Sequence, residues 1–309
     1  MPRIRLGLVL HPTREVSPVV DTMVAWAARH DAALTVRAED RHRVPESVRA
    51  VPETDLTAAS DMLLSVGGDG TMLGALRLAV PDPKPVLGVH LGKLGFLVEV
   101  EPQELPAALD RLLTGDYTLV GQGCLECAVC GDNVVAFNDV ALIRTPGQGF
   151  VTATLAVDGQ RYGYYRCDAL VISTPTGSTA YSYAAGGPLV SPATRAVVVT
   201  PSAPMSGISR AVVLSPEETV RLELKSGSGP VAVEVDGQII RDGSTSGAVE
   251  IRYRPEAGHV VRLDPRRYQE RSALKLGLLD LPLLPAQLRE LLPEEVRRRL
   301  DERELPPPL

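Results

Sequence analysis

Residues 61–79 read DMLLSV-GGDG-TMLGALRLA: an apolar run passes with no spacer through four residues, three of them glycine, into a stretch with helical patterning. A continuous apolar run this short fits a strand buried on both faces. Two further runs repeat the pattern, RLGLVL (5–10) and PVLGVH (85–90). Between them, Ser17-Pro18 reads as a helix N-cap with proline at the first helical position, opening a segment through Trp26 and Ala28. A further helix is expected near Gln103–Leu113. Strands separated by helices imply an α/β domain with a parallel sheet, whose ligands bind beyond the carboxyl ends of strands. GGDG lies at one such end.

From about residue 117 the pattern changes to short strands joined by turn residues: Gly131-Asp132-Asn133, Asp158-Gly159, Asp236-Gly237 and Asp242-Gly243. This is the pattern of hairpins and predicts a mainly β domain. A polar stretch, TPTGSTAYSYAAGGPLVSP, interrupts it between DALVIST (168–174) and RAVVVT (195–200), and its middle suits a short helix capped by Ser178 or Thr179. After Ser272, prolines 285 and 293 each precede helical patterning, so the C-terminal tail is read as helical. The expected division is 1–116 as an α/β domain carrying GGDGT, 117–265 as a β-rich domain, and 266–309 as a segment packing back on the first.

With 309 residues, 44% hydrophobic and 23% charged, the chain can bury ordinary cores, which excludes a disordered class. Its net charge of −6 argues against nucleic acid or an anionic membrane as partner. No long apolar span and no signal-peptide pattern occur, so a cytoplasmic protein is expected. Cys124, Cys127 and Cys130 resemble a zinc half-site, but no second pair completes it. In a strand, Cys127 faces opposite to the other two, so they read as buried, reduced thiols.

Three clusters carry chemistry. Glycines around Asp69 let backbone N–H groups face an anion at a helix N-terminus, which makes a phosphate cradle. A carboxylate inside such a cradle makes sense as a base for an attacking hydroxyl or as a Mg²⁺ ligand. An Asx-turn or helix cap explains it equally well. Thr174 through Pro188 combines hydroxyls, an aromatic face and close-approach glycines, suiting a ribose and a stacked base, or simply an ordered polar loop. Phe137-Asn138-Asp139-Val140 sets an amide beside a carboxylate amid strand-like residues, where both types are depleted.

Together these motifs, with Gly88-Val-His-Leu-Gly-Lys-Leu-Gly-Phe-Leu97, resemble the NAD kinase family over most of the chain. GGDGT alone is shared with lipid kinases and phosphofructokinases; the order of all the motifs is more selective. The resemblance implies that Asp69 accepts the 2′-hydroxyl proton of the adenosine ribose, and that Gly67, Gly68, Gly70 and Thr71 line the phosphate path. It implies NAD-binding roles for Gly70, Asn138, Asp139, Gln238 and the run Thr179, Ala180, Tyr181, Ser182, Tyr183 and Ala184, with Tyr181 as the stacking surface. It also implies that Asp168 contacts the nicotinamide end from a neighbouring subunit, hence a homodimer or homotetramer. Arg166 is associated with a preference for NAD over NADH, although a solvated arginine paired with a carboxylate explains it as well. Cys167, between them, should face away from both.

The chain departs from the family at Asp139, where Glu is usual, at His90 for Asn, at Met205 for His, and at Tyr183 and Ala184 for Leu-Ser. The expected activity is NAD kinase, with ATP or polyphosphate as donor, Mg²⁺ arriving with the donor, and no fixed protein metal site. A lipid kinase would lack a use for the Ser/Thr/Tyr segment, and a non-catalytic dinucleotide-binding regulator would not need an intact Asp69.

Overall fold

The computed structural model describes residues 4–92, 95–129, 131–243 and 247–266. In the first part, β1 (Arg5–Leu10), β2 (Ala33–Arg37), β3 (Arg49–Val51), β4 (Met62–Gly67) and β5 (Pro85–His90) pair in parallel in the order β3-β2-β1-β4-β5. The three strands expected from apolar runs are present. The additional β2 and β3 are short and lie toward the edge, where less apolar sequence is needed.

Helices α1 (Ser17–His30) and α3 (Leu105–Thr114) cover one face, burying Met23, Trp26 and Leu109 against Leu8, Leu64 and Leu87. Helix α2 (Asp69–Ala79) covers the other, where Met72 and Leu76 meet Leu63, Val86 and Phe137. Ser17 is not the cap expected of it. The helix begins at Ser17 itself, Val16 precedes it without a side-chain bond, and Glu15 Oε1 accepts the free Ser17 N–H at 2.8 Å. The carboxylate thus does the work a capping hydroxyl would have done.

The second part is mainly β, as expected. It comprises β6 (Thr118–Val129), β7 (Asp132–Ala136), β8 (Asp139–Arg144), β9 (Val151–Val157), β10 (Gln160–Cys167), β11 (Ala169–Ser173), the single turn α4 (Tyr181–Ala184), β12 (Val197–Ser202), β13 (Ser206–Gly207), β14 (Val212–Leu214), β15 (Val220–Leu224), β16 (Val231–Val235), β17 (Gln238–Arg241) and β18 (Ala248–Arg262). One sheet runs β13-β10-β9-β15-β18 and continues into the parallel strands, because β18 pairs with β5; β6 and β7 add to it beside β18. The other runs β14-β12-β11-β8-β16-β17. Leu155, Leu222 and Ile251 of the first pack against Leu142, Ile172 and Val199 of the second. At Asp158-Gly159 and Asp236-Gly237 both residues have positive φ, the geometry a two-residue hairpin turn requires.

Cys124 packs with the α2 core and Cys127 between the two sheets, so these thiols do face opposite ways. Burial pushes the Cys124 thiol up to about 12 and raises that of Cys127 further. Cys167 is buried while Arg166 is exposed. Cys130, the expected helical tail and the segment 266–309 lie outside the described residues, Arg266 excepted.

Phe137 is 2% exposed and its ring lies against Gly258 of β18 and Leu76 of α2. Phe137→Ala should cost roughly 3–5 kcal/mol in urea unfolding. A loss below about 1 kcal/mol would show that this ring does not support the α2 face.

Candidate active site

The chain order β1, β2, β3 runs one way across the parallel sheet and β4, β5 the other, so the switch falls between β1 and β4. Open α/β sheets form their binding crevice at that point. Here a cavity of about 580 Å³ is lined by His11 and Arg14 after β1, by Gly68, Gly70 and Thr71 after β4, and by Gln238. It adjoins a second of about 550 Å³ that also takes in Arg43. His11 Nδ1 accepts the N–H groups of Thr13 (3.2 Å) and Arg14 (3.1 Å), so the neutral ring carries its proton on Nε2 as a donor. Burial, then Arg14 and Arg43, push its pKa down.

Asp69 is the first residue of α2, and its carboxylate is clasped by the loop after β5. Oδ2 accepts Phe96 N–H at 2.7 Å; Oδ1 accepts Leu97 at 3.0 Å and Val98 at 3.4 Å. With two lone-pair sites per oxygen and one donor among the described residues, Oδ2 has a site left to accept another. The clasp needs glycine at 95, since a Cβ there would stand 2.0 Å from Asp69 Oδ1. Arg262 holds the loop from behind, donating to Leu97 O at 2.8 Å.

A second group forms where β8 and β11 run side by side, with Asp139 opposite Ser173. Thr174 N–H donates to Asn138 O at 2.9 Å, and Thr174 Oγ1 donates to Phe137 O at 2.7 Å while accepting Gly177 N–H. These bonds lock the 174–177 loop against Phe137-Asn138; a Cβ at Gly177 would lie 2.0 Å from Asn138 O. Neither Ser178 nor Thr179 caps α4, as either was expected to. Ser178 Oγ donates to Pro175 O and accepts Val190 N–H, and Thr179 Oγ1 donates to Thr176 O. Their hydroxyls are consumed by the loop's own turns.

Helix α4 instead rests on the sheet through Ser182 Oγ, 2.9 Å from Thr200 Oγ1. Thr179, Ala180, Tyr181, Tyr183 and Ala184 are half-buried to exposed. Burial raises the Tyr181 phenol, and the charges of Glu234, Asp139 and Asp168 add to the rise. Asp139 is 2% exposed. Its carboxyl is pushed up to about 7 by burial and by Asp236 and Glu234, against a bond from the Tyr181 backbone.

Asp168 lies at the far end of β11, about 16 Å of strand from Ser173. Its carboxylate is held within this chain by Arg144, at 2.6 and 3.3 Å. The Arg166 guanidinium sits 5.0 Å over the Phe150 ring. His90, beside Gly67, is buried and neither ring nitrogen has a partner among the described residues; Met205 is exposed.

His11, Arg14, Arg77, Glu234 and Asp236 were not among the residues expected at the site. Gly70, Gly74 and Arg77 follow helical spacing, a signal that could have placed Arg77 beside the glycine loop. Asp236 was legible only as a turn.

Models of the ATP-NAD kinase N-terminal and C-terminal domains match residues 6–117 and 137–263. Similar curated proteins include an NAD kinase of Heliobacterium modesticaldum, 34% identical over 85% of this chain and 95% of that one. Another is NAD kinase 1 of Streptomyces avermitilis, 34% identical over 90% and 88%. In fold, the chain resembles yeast NADH kinase solved with NADH (TM-score 0.76, 23% identity, covering 92% of this chain and 90% of that one). It also resembles an Archaeoglobus fulgidus NAD kinase solved with ATP (TM-score 0.69, 22%, covering 89% and 99%).

A carboxyl whose folded pKa of about 7 exceeds its usual value of about 4 stabilises the fold below pH 4, an advantage lost as pH rises through 7. Asp139→Asn removes the ionisation. The variant should therefore gain stability over the parent on going from about pH 4.5 to about pH 8, by on the order of a few kcal/mol in paired thermal melts. An equal difference at both pH values would mean that Asp139 titrates normally.

Proposed function

We propose, from the premise that this chain belongs to the ATP–NAD kinase family, that the crevice between β1 and β4 receives the donor's phosphates and that the Asn138–Asp139 and Tyr181 surface receives the adenosine half of NAD. The enzyme is an NAD kinase, phosphorylating NAD with ATP to give NADP. The observation that carries the division of roles is the amide clasp on Asp69. It fixes one carboxylate at the glycine loop and leaves a lone pair on Oδ2.

Asp69 Oδ2 takes the proton of the ribose 2′-hydroxyl as that oxygen bonds to the terminal phosphorus of the donor. The bond from that phosphorus to its bridging oxygen breaks, and ADP leaves. The chain's contribution is positional and electrostatic. Gly67, Gly68, Gly70 and Thr71 line the phosphate path at the positive end of α2. Arg14, for which no carboxylate partner is found among the described residues, and the Nε2–H of His11 face the same space.

Mg²⁺ arriving with the donor would neutralise the phosphate oxygens. Among the described residues no three His, Cys, Asp or Glu side chains gather as a metal site. The donor's phosphates would carry the ion in. Polyphosphate offers the same terminal group and is kept as an alternative donor.

On the acceptor side, Asn138, Asp139 and Gln238 would hold ribose and base hydrogens, with Tyr181 stacking on the base. Thr179, Ala180, Ser182, Tyr183 and Ala184 shape the same pocket. Arg166 and Asp168 would serve the nicotinamide end across a homodimer or homotetramer interface. The functional halves fall at 1–116 and 117–265. Among the described residues no helix is long and apolar enough to cross a membrane. The three cysteines among the described residues are free and buried, which supports a reducing, cytoplasmic setting.

Purified protein incubated with NAD, ATP and Mg²⁺ should yield NADP, read with an NADP-specific dehydrogenase; parallel reactions with polyphosphate and with NADH resolve donor and acceptor. Asp69→Asn should keep the fold and NAD affinity and lose about 10²–10⁴-fold in turnover. Near-parental turnover would remove Asp69 from the base role. Gly95→Ala pushes the carboxylate off its amides and should cost about 100-fold in kcat. Unchanged kcat there would show that the clasp is not needed.

A further inference from the structure

Asp236 closes the β16–β17 hairpin, yet its side chain is fully buried and gathers more donors than a turn needs. Oδ1 accepts the N–H groups of Asn138 (2.7 Å) and Asp139 (3.2 Å); Oδ2 accepts Phe137 N–H (3.1 Å) and Arg77 Nη1 (2.5 Å). Its own N–H returns to Asp139 O at 2.9 Å. Arg77 stands on α2, two turns beyond Asp69, and its Nη2 donates to Gln238 Oε1 at 3.3 Å. Three segments from distant parts of the chain therefore converge on one ion pair. They are the helix whose first residue is Asp69, the Asn138–Asp139 segment, and Gln238.

Because a guanidinium only donates, the Gln238 amide must turn its oxygen to Arg77, leaving its NH₂ free to donate into the cavity. A buried carboxylate with four donors has one low-energy position. The spacing between α2 and the acceptor-side groups is then set by charge geometry as well as by apolar packing, which alone tolerates sliding.

We propose that Arg77 and Asp236 form a positioning pair that registers the acceptor-binding groups Asn138, Asp139 and Gln238 against the helix carrying Asp69, and that orients the Gln238 amide as a donor to the dinucleotide. The pair touches no reacting atom. The inference rests on the assignment of Asn138, Asp139 and Gln238 to NAD given above.

Replacing Asp236 would strand its donors and endanger folding, so the half-exposed guanidinium is the partner to vary. Arg77→Met keeps the stem and removes both donors. It should raise KM for NAD about tenfold and leave KM for ATP within about twofold. Arg77→Lys, which reaches Asp236 with one ammonium but lacks the planar fork, should recover part of the loss. Calorimetric NAD binding without a donor should weaken in parallel in Arg77→Met.

A merely structural arginine would move both KM values together or neither. Either result, or a calorimetric affinity equal to the parent's, overturns the pairing. A parent enzyme that forms no NADP would instead overturn the kinase reading itself, so the two failures are distinct.

Discussion

Arg262, at the end of β18, is 1% exposed; it donates to Leu97 O at 2.8 Å and lies 3.4 Å from Glu99 Oε2. Glu99 Oε1 in turn accepts the N–H groups of Leu263 and Asp264. Charges buried so deeply persist only with well-placed partners, and losing one partner of such a pair costs about 3–5 kcal/mol. The loop it anchors is the one whose amides clasp Asp69, and β18 is the strand that joins the antiparallel strands to β5. The position of the site's carboxylate is thus tied through Leu97 to the strand that unites the two halves.

The site has two electrostatic characters. Near β1 the α2 N-terminus, Arg14 and His11 present donors and positive charge, suited to phosphate. On the β8–β16 side Glu234 and Asp236 lie close enough to Asp139 to push its carboxyl up, while Asp236 is itself paired with Arg77. A chain of net charge −6 can bind two anionic nucleotides because the positive potential is local and much of it comes from backbone amides that the residue count does not register. The tyrosines show a similar division. Five of eight lie between residues 162 and 183, but Tyr165 fills the core between the sheets, Tyr162 and Tyr164 face outward, and only Tyr181 and Tyr183 belong to the loop read as contacting NAD.

The central strands were legible because burial on both faces demands unbroken apolar runs, as in RLGLVL and PVLGVH. The turns at Asp158-Gly159 and Asp236-Gly237 were legible because Asp-Gly tolerates positive φ at both positions. The short strand β2 and the edge strand β3 gave weaker signals, since less of them must be apolar. The hydroxyls of Ser17, Ser178 and Thr179 misled as caps. A capping residue type states what its oxygen can accept, whereas its neighbours decide which donor reaches it: Glu15 took the helix start, and Val190 took Ser178.

What the sequence by itself determined is local: strand, glycine loop and helix around Asp69, a Ser/Thr/Tyr loop, an Asn-Asp pair, and an order of motifs selective enough to indicate a family. These follow from φ preferences, periodicity and side-chain chemistry, all properties of neighbouring residues. Only the tertiary structure decided that Phe96, Leu97 and Val98 hold Asp69 by backbone N–H groups, which carry no residue identity to read. It also brought Arg77 and Asp236, 159 residues apart, into one ion pair to which the Asp139 backbone N–H also donates. Long-range pairing of a buried charge depends on which strands become neighbours, and that is fixed by the packing of the whole sheet.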